Sequence, residues 1–224
     1  LKITSWIIAS LLTLGLSTYL LLTLPSVQTW LSKRAASYLS DQLHTKVSIQ
    51  GVDVKFPKNI VLEGLLIEDL HQDTLLFTET FQININNYSL NRNRFYINSI
   101  QLEKPVVKIK YYQKETVSNL QFILDYFEDT TSNTTNVKPS IYLKIGLFKI
   151  TDGRVIYQNQ HIAAMGMKSI NYDDLHITQL NYTSDYFTYF NNELRTKLKH
   201  LSLKEKSGFI ISQLSTDFKM TPTE

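Results

Sequence analysis

The stretch INSIQLEKPVVKI, Ile97 to Ile109, sets apolar residues at 97, 100, 102, 107 and 109 around a polar Glu103-Lys104-Pro105. Alternation on both sides of a turn-forming proline predicts two short strands joined there as a hairpin. The spacing returns three times. Leu62, Leu65, Ile67, Leu75 and Phe77 carry it with a longer connection, and Ile145, Phe148, Ile150, Val155 and Tyr157 repeat it at a constant offset of 48. Leu198, Leu201, Leu203, Phe209 and Ile211 form a fourth copy with one extra connecting residue. The connections EDLHQDT, EKP, TDGR and KEKSG all have turn chemistry. Within a regular strand a step of three residues changes face, so each copy needs a bulge between its first two members to keep them on one side. Independent β-hairpins that share the spacing by coincidence are the alternative.

Working outward, KVSIQGVDVKF and NIVLEGLLIEDL alternate and then shift phase at Gln50-Gly51 and at Gly64. Phe81, Ile83 and Ile85 alternate on one face, and Asn171–Leu194, rich in Tyr, Asn and Asp, reads as further strands. The expected body is therefore antiparallel β over residues 46–224. One helix is expected over 117–128, where Leu120, Ile123, Leu124 and Phe127 have helical spacing behind Ser118 and Asn119 as caps. A polar, mobile loop is expected over 129–139.

Residues 1–25 read as a transmembrane anchor. No charged side chain occurs from Ile3 to Ser32, and Trp6 and Trp30 flank the run. As a helix Ile3–Leu24 would rise roughly 33 Å, the thickness of a bilayer's hydrocarbon. A cleaved signal peptide would have a shorter apolar segment and a small-residue exit, which this run lacks. Lys2 before the run against Lys33 and Arg34 after it leaves the orientation open. Residues 26–45 read as an amphipathic helix with Val27, Leu31, Ala35, Leu39 and Leu43 on one stripe. That stripe could rest on the membrane surface or plug one end of the β-body, and the plug is the expectation. Leu1 in place of Met, and an end at MTPTE without a terminal motif, suggest a piece of a longer chain.

Several chemistries are excluded or weak. The chain has no cysteine, so disulfides, thiolate catalysis and zinc–cysteine sites are ruled out. A net charge of +3 with scattered Lys and Arg argues against nucleic acid as a partner. Asp69, His71 and Asp73 alternate and could face a metal, but they read more simply as a polar turn; Asp173, Asp174 and His176 form a similar weak cluster. No phosphate loop, nucleophile elbow or HExxH helix is present, and no enzyme activity or cofactor is expected.

The order of these features resembles the N-terminal portion of the TamB/AsmA-like family, of Bacteroidota type. The resemblance rests on the anchor, LPSVQTWLSKRAASYLSDQL, TKVSIQGVDVKF, LEGLLIEDLHQDTLLF, INSIQLEKPVVKI, a helix entered through Asn119, and LSLKEKSGFIISQLS. It implies an open, elongated, taco-like antiparallel β-sheet whose concave groove is apolar, related to the bridge-like lipid transfer proteins. It further implies an inner-membrane protein, with its body in the periplasm of a Gram-negative bacterium, that conducts phospholipid toward the outer membrane and supports outer-membrane biogenesis. A BamA-family barrel would be its partner through a C-terminal region absent here. Other envelope proteins could also be partners.

On that reading the groove would be lined by the members of the four copies other than Leu198, together with Phe81, Ile83 and Ile85. Acyl chain buried there would gain about 0.8 kcal/mol per methylene without any catalytic group. Two other readings stay open. The same residues could form the sealed core of a sandwich or barrel, or the body could be a scaffold that binds client strands at its edge during outer-membrane protein insertion.

Overall fold

The computed structural model describes residues 2–22, 24–55, 59–87, 94–129, 142–162, 169–190 and 193–221. The chain runs through α1 (Lys2–Leu22), α2 (Pro25–Leu43), β1 (Val47–Ser48), β2 (Gly51–Lys55), β3 (Asn59–Glu68), β4 (Thr74–Asn87), β5 (Arg94–Glu103), β6 (Val106–Tyr111), α3 (Gln121–Asp129), β7 (Tyr142–Asn159), β8 (Asp174–Phe190), β9 (Glu193–Glu205) and β10 (Ile210–Met220). It is mainly β, with one large mixed sheet and three helices. All ten strands join that sheet in the order β1-β3-β4-β5-β7-β8-β9-β10, with β2 also on β3 and β6 bridging β4 and β7.

Two pairs of short strands are interrupted single strands. β1 and β2 pair with β3 in succession, Val47↔Ile67 and Ser48↔Leu66, then Gly51↔Glu63 through Lys55↔Asn59. The break falls at Gln50, where the sequence shifts phase. β5 and β6 lie end to end along β7: Arg94↔Tyr142 to Glu103↔Thr151, then Val106↔Arg154 to Tyr111↔Asn159. Both segments run parallel to β7. Two expectations are corrected here. INSIQLEKPVVKI is not a hairpin, because Glu103-Lys104-Pro105 kinks the chain without reversing it. The kink is local: Lys104 has φ 46, its amide donates to the Thr151 carbonyl (2.8 Å), and the Arg154 amide donates to Pro105 O (2.7 Å). Pro105 has no N–H to contribute, which an interrupted ladder tolerates. The sheet, in turn, is mixed rather than antiparallel throughout. A parallel neighbour needs a long crossover, and the connection from β6 to β7, which contains α3, is long enough to supply it.

TDGR is likewise inside a strand, since β7 runs unbroken from Tyr142 to Asn159 with Asp152 at φ 52. The other two connections do reverse the chain. Residues 69–73 join β3 to β4 and residues 206–209 join β9 to β10.

The helices occupy one end. α2 packs on the sheet through Ala36 and Leu43, which share a core with Val47, Ile49, Val52 and Leu65; Ala35, Leu39, Phe122, Ile123 and Tyr126 pack around it. Its apolar stripe therefore covers the face at β1–β4. Val47 N–H donates to Ser40 Oγ (2.9 Å), tying the helix to the first strand. His44 ends α2 in the left-handed conformation (φ 52). α3 begins at Gln121 rather than near 117, and the expected loop 129–139 lies outside the described residues apart from Asp129. α1 is a separate helix whose large apolar side chains, including Trp6, Leu11, Leu12 and Leu16, are exposed. Among the described residues no helix is long and apolar enough to cross a membrane; the side chains at 2, 3, 19 and 22 lie outside that set.

Candidate functional site

Residues directly opposed across a ladder share a face, so the register traces apolar rows across the sheet. One row reads Val52–Leu62–Phe81–Leu102–Ile150–Tyr182–Leu201–Leu214. It crosses every strand from β2 to β10 except β6, without a charged residue. The next reads Val54–Ile60–Ile83–Ile100–Phe148–Ser184–Leu198–Thr216, and a third Ile85–Ile97–Ile145–Phe187–Thr196–Phe218. Toward the other strand ends lies Val47–Ile67–Leu76–Val107–Val155–Ile177–Glu205. Ile109, Tyr157 and Leu175 are opposed beyond it.

Bulges between the first two members are present in the second and fourth copies. In β5 the register against β4 shifts between Ser99 and Ile97, so Asn98 is the extra residue and Ile97 and Ile100 oppose Ile85 and Ile83. In β9 the register shifts between His200 and Leu198. Gly146 of β7 faces the β5 bulge: a Cβ there would lie 2.7 Å from the Asn98 carbonyl oxygen. Beside them runs a crease of left-handed backbone at Gly64 (φ 58), Lys104 (φ 46), Asp152 (φ 52) and Gln179 (φ 52). By register these four lie on one line across β3, β5–β6, β7 and β8. At the crease Leu65 opposes Thr78, Gly153 opposes Leu180, and Leu203 opposes Ile211.

Leu65, Leu203 and Ile211 stand at the crease between the rows, and three other expected lining residues belong to neither. Leu75 is the extra residue of a bulge where Ile67 opposes Leu76 and Glu68 opposes Thr74, so Leu76 takes the place expected of it. Phe77 opposes Leu66 and Val106, on the reverse face from Leu76. Phe209 sits in the β9–β10 turn, 47% exposed. Conversely, Val52, Val54, Ile60, Tyr182, Phe187, Leu214 and Phe218 belong to the rows and were missed. In β8 the alternation is broken by Gln179 and by Tyr186 (φ 30), so no single period runs through it.

The cover over this face is uneven. Leu62, Leu65, Ile67, Leu76 and Phe81 lie under or beside the helices. Past β4, Ile100, Leu102, Phe148, Ile150 and Tyr182 are half-buried, and the described helices pack only on the β1–β4 end. Two hydroxyls in the rows, Ser184 Oγ and Thr196 Oγ1, are buried without a hydrogen-bond partner among the described residues. In β9 the reverse face is polar by the same alternation, with Arg195, Lys197 and Lys199 alternating with Leu194, Thr196 and Leu198, whereas Leu66, Phe77 and Val106 make it apolar at β3, β4 and β6.

The Asp69 cluster is a clasp. Asp69 is 1% exposed; its carboxylate accepts from Asn119 Nδ2 (2.8 Å), Tyr112 OH (2.7 Å) and the amides of His71 (2.9 Å) and Asp73 (3.0 Å). Burial alone would raise its pKa, but these donors outweigh it and hold the carboxyl below the ordinary range. Asn119 Oδ1 also accepts the Lys110 amide (2.9 Å), so one side chain joins the β3–β4 turn, β6 and the approach to α3. Tyr112 is pushed up by burial and by the facing Asp69. Asp73 binds Lys110 and Lys108 and is lowered to about 2, chiefly by Lys110. A carboxylate saturated by protein donors has no lone pair to offer a metal, and no group of metal-ligating side chains forms among the described residues. The second cluster is built alike: Asp174 is lowered by Lys206, and His176 Nε2 lies 3.0 Å from its carboxylate.

Compared with known proteins, the chain matches no family model and no curated protein.

Proposed function

We propose that the chain is the membrane-anchored first section of a TamB/AsmA-like lipid conduit, in which the apolar face of the sheet forms an open groove for phospholipid acyl chains. The observation that carries this reading is the row from Val52 to Leu214, which crosses the whole sheet and is left half-exposed past β4. An uncovered apolar face needs a second layer or a ligand. Acyl chains fit because the rows repeat at the strand spacing of about 4.8 Å, so a methylene chain meets similar contacts at each step. α2 and α3 close the first end. α1, 21 residues with no charge after Lys2 and apolar side chains exposed on all sides, supports a membrane anchor; the inner membrane and a periplasmic body are what the family resemblance implies.

The test is lipid extraction and mass spectrometry on protein purified in mild detergent. Phospholipid should co-purify with the wild type and be lost in Leu102→Glu or Ile150→Glu, with the far-ultraviolet circular dichroism unchanged. Protein free of phospholipid would remove the conduit reading. A second reading, a scaffold that adds client strands, is favoured by β10, which among the described residues pairs with β9 alone and is exposed along most of its length. A photocrosslinker at Ile100 labels lipid under the first reading; one at Ser215 labels protein under the second.

A further inference from the structure

We propose that the outward face of the first half of α2 docks on anionic phospholipid headgroups, holding the sheet at a fixed attitude to the bilayer; this rests on the reading of α1 as a membrane anchor. The sequence of α2 sorts into two faces. Ser32, Ala36 and Leu43 are buried toward the sheet, so the helix cannot roll about its own axis without opening the core. The opposite face carries Trp30, Lys33 and Arg34, at helical spacing, all exposed.

Trp30 is 63% exposed, an unusual setting for a large aromatic unless one side meets an interface. Lys33 and Arg34 have no ion pair among the described residues, whereas the basic side chains of the sheet are often paired, as in Lys108–Asp73, Lys199–Asp185 and Lys206–Asp174. The nearest acid on this face is Asp41, about two turns farther on.

The partner follows from continuity and charge. α2 starts at Pro25, directly behind the exposed apolar α1, and the Val27 and Gln28 amides bond back to the Leu24 carbonyl (3.0 Å each). Lys33 and Arg34 stand within about 15 Å of that junction, inside the headgroup layer and the reach of its surface potential. Two cations beside an amphipathic ring match a lipid phosphate over the acyl boundary. An acidic protein would satisfy the charges without using the ring.

The chain's two tryptophans permit a direct test. Full-length Trp6→Phe leaves Trp30 as the only reporter, and Trp30→Phe leaves Trp6. Each is reconstituted in phosphatidylcholine vesicles with or without phosphatidylglycerol, then quenched by aqueous iodide and by lipids brominated at graded depths. Trp30 should be quenched by the shallowest bromines. It should be shielded from iodide more strongly with phosphatidylglycerol, and that added shielding should be lost in Lys33→Glu/Arg34→Glu. Iodide quenching of Trp30 that is unshielded and independent of phosphatidylglycerol overturns the proposal, whatever Trp6 reports. Trp6 unquenched by bromines at any depth overturns the anchor instead, and shallow quenching of Trp30 would then show docking without a span.

Discussion

At the scale of single residues, the chain's tightest polar device is Asn119. Its amide fills the buried Asp69 carboxylate on one side and completes the backbone of Lys110 on the other. Asn119→Ala strips a donor from a buried anion and an acceptor from a strand amide, and should cost about 2–3 kcal/mol in urea unfolding. Acid should loosen the same region. Asp69 and Asp73 both have depressed pKa values, so their contribution is complete above the ordinary value of 3.8 and is lost as the pH falls through their folded values, about 2 for Asp73. Exchange of the His71 and Asp73 amides should therefore quicken below about pH 4 relative to amides of β8. Sequence showed polar residues with turn spacing here. It could not show the Asn119 link, whose partner lies fifty residues away and is fixed by the crossover.

At the scale of elements, the decisive event is that two connections with turn chemistry do not turn. Lys104 and Asp152 adopt left-handed backbone, as turn residues do, yet each strand resumes its direction beyond them. Local composition fixes the φ angle. Whether the chain then reverses depends on the neighbouring strand, which the residues themselves do not encode. The crease carries a cost that glycine would not bear, so Gln179→Gly should raise stability by about 1 kcal/mol in thermal unfolding. Gly146→Ala should do the reverse. Its methyl would meet the Asn98 carbonyl at 2.7 Å, forcing β5 from β7, and a loss of about 2 kcal/mol or more should appear with faster exchange across that pair. The bulge beside Ile97 was legible because three-residue spacing among apolar residues demands one. The bulge at Leu75 was not, because EDLHQDT permits either register and only the ladder chooses.

At the scale of the whole molecule, the described helices cover one end of the sheet and leave much of the remaining apolar face half-exposed, and core substitutions should report that gradient. Leu65→Ala, at 6% exposure beneath the helices, should cost about 3 kcal/mol, against about 1 kcal/mol for Leu102→Ala on the uncovered run. Similar losses at both positions would mean that a second layer covers the face. The constant 48-residue offset between the second and third copies also acquires a physical meaning: it is the register of β5–β6 against β7, residue 97 on 145 and residue 109 on 157. Where the offset of two copies equals the register of their pairing, each member of one copy stands beside its counterpart in the other. Such a wall can lengthen by whole courses, as brickwork does, without revising any joint already made. The distance the molecule spans is then set by how many courses are laid, and the chemistry of each course can stay the same.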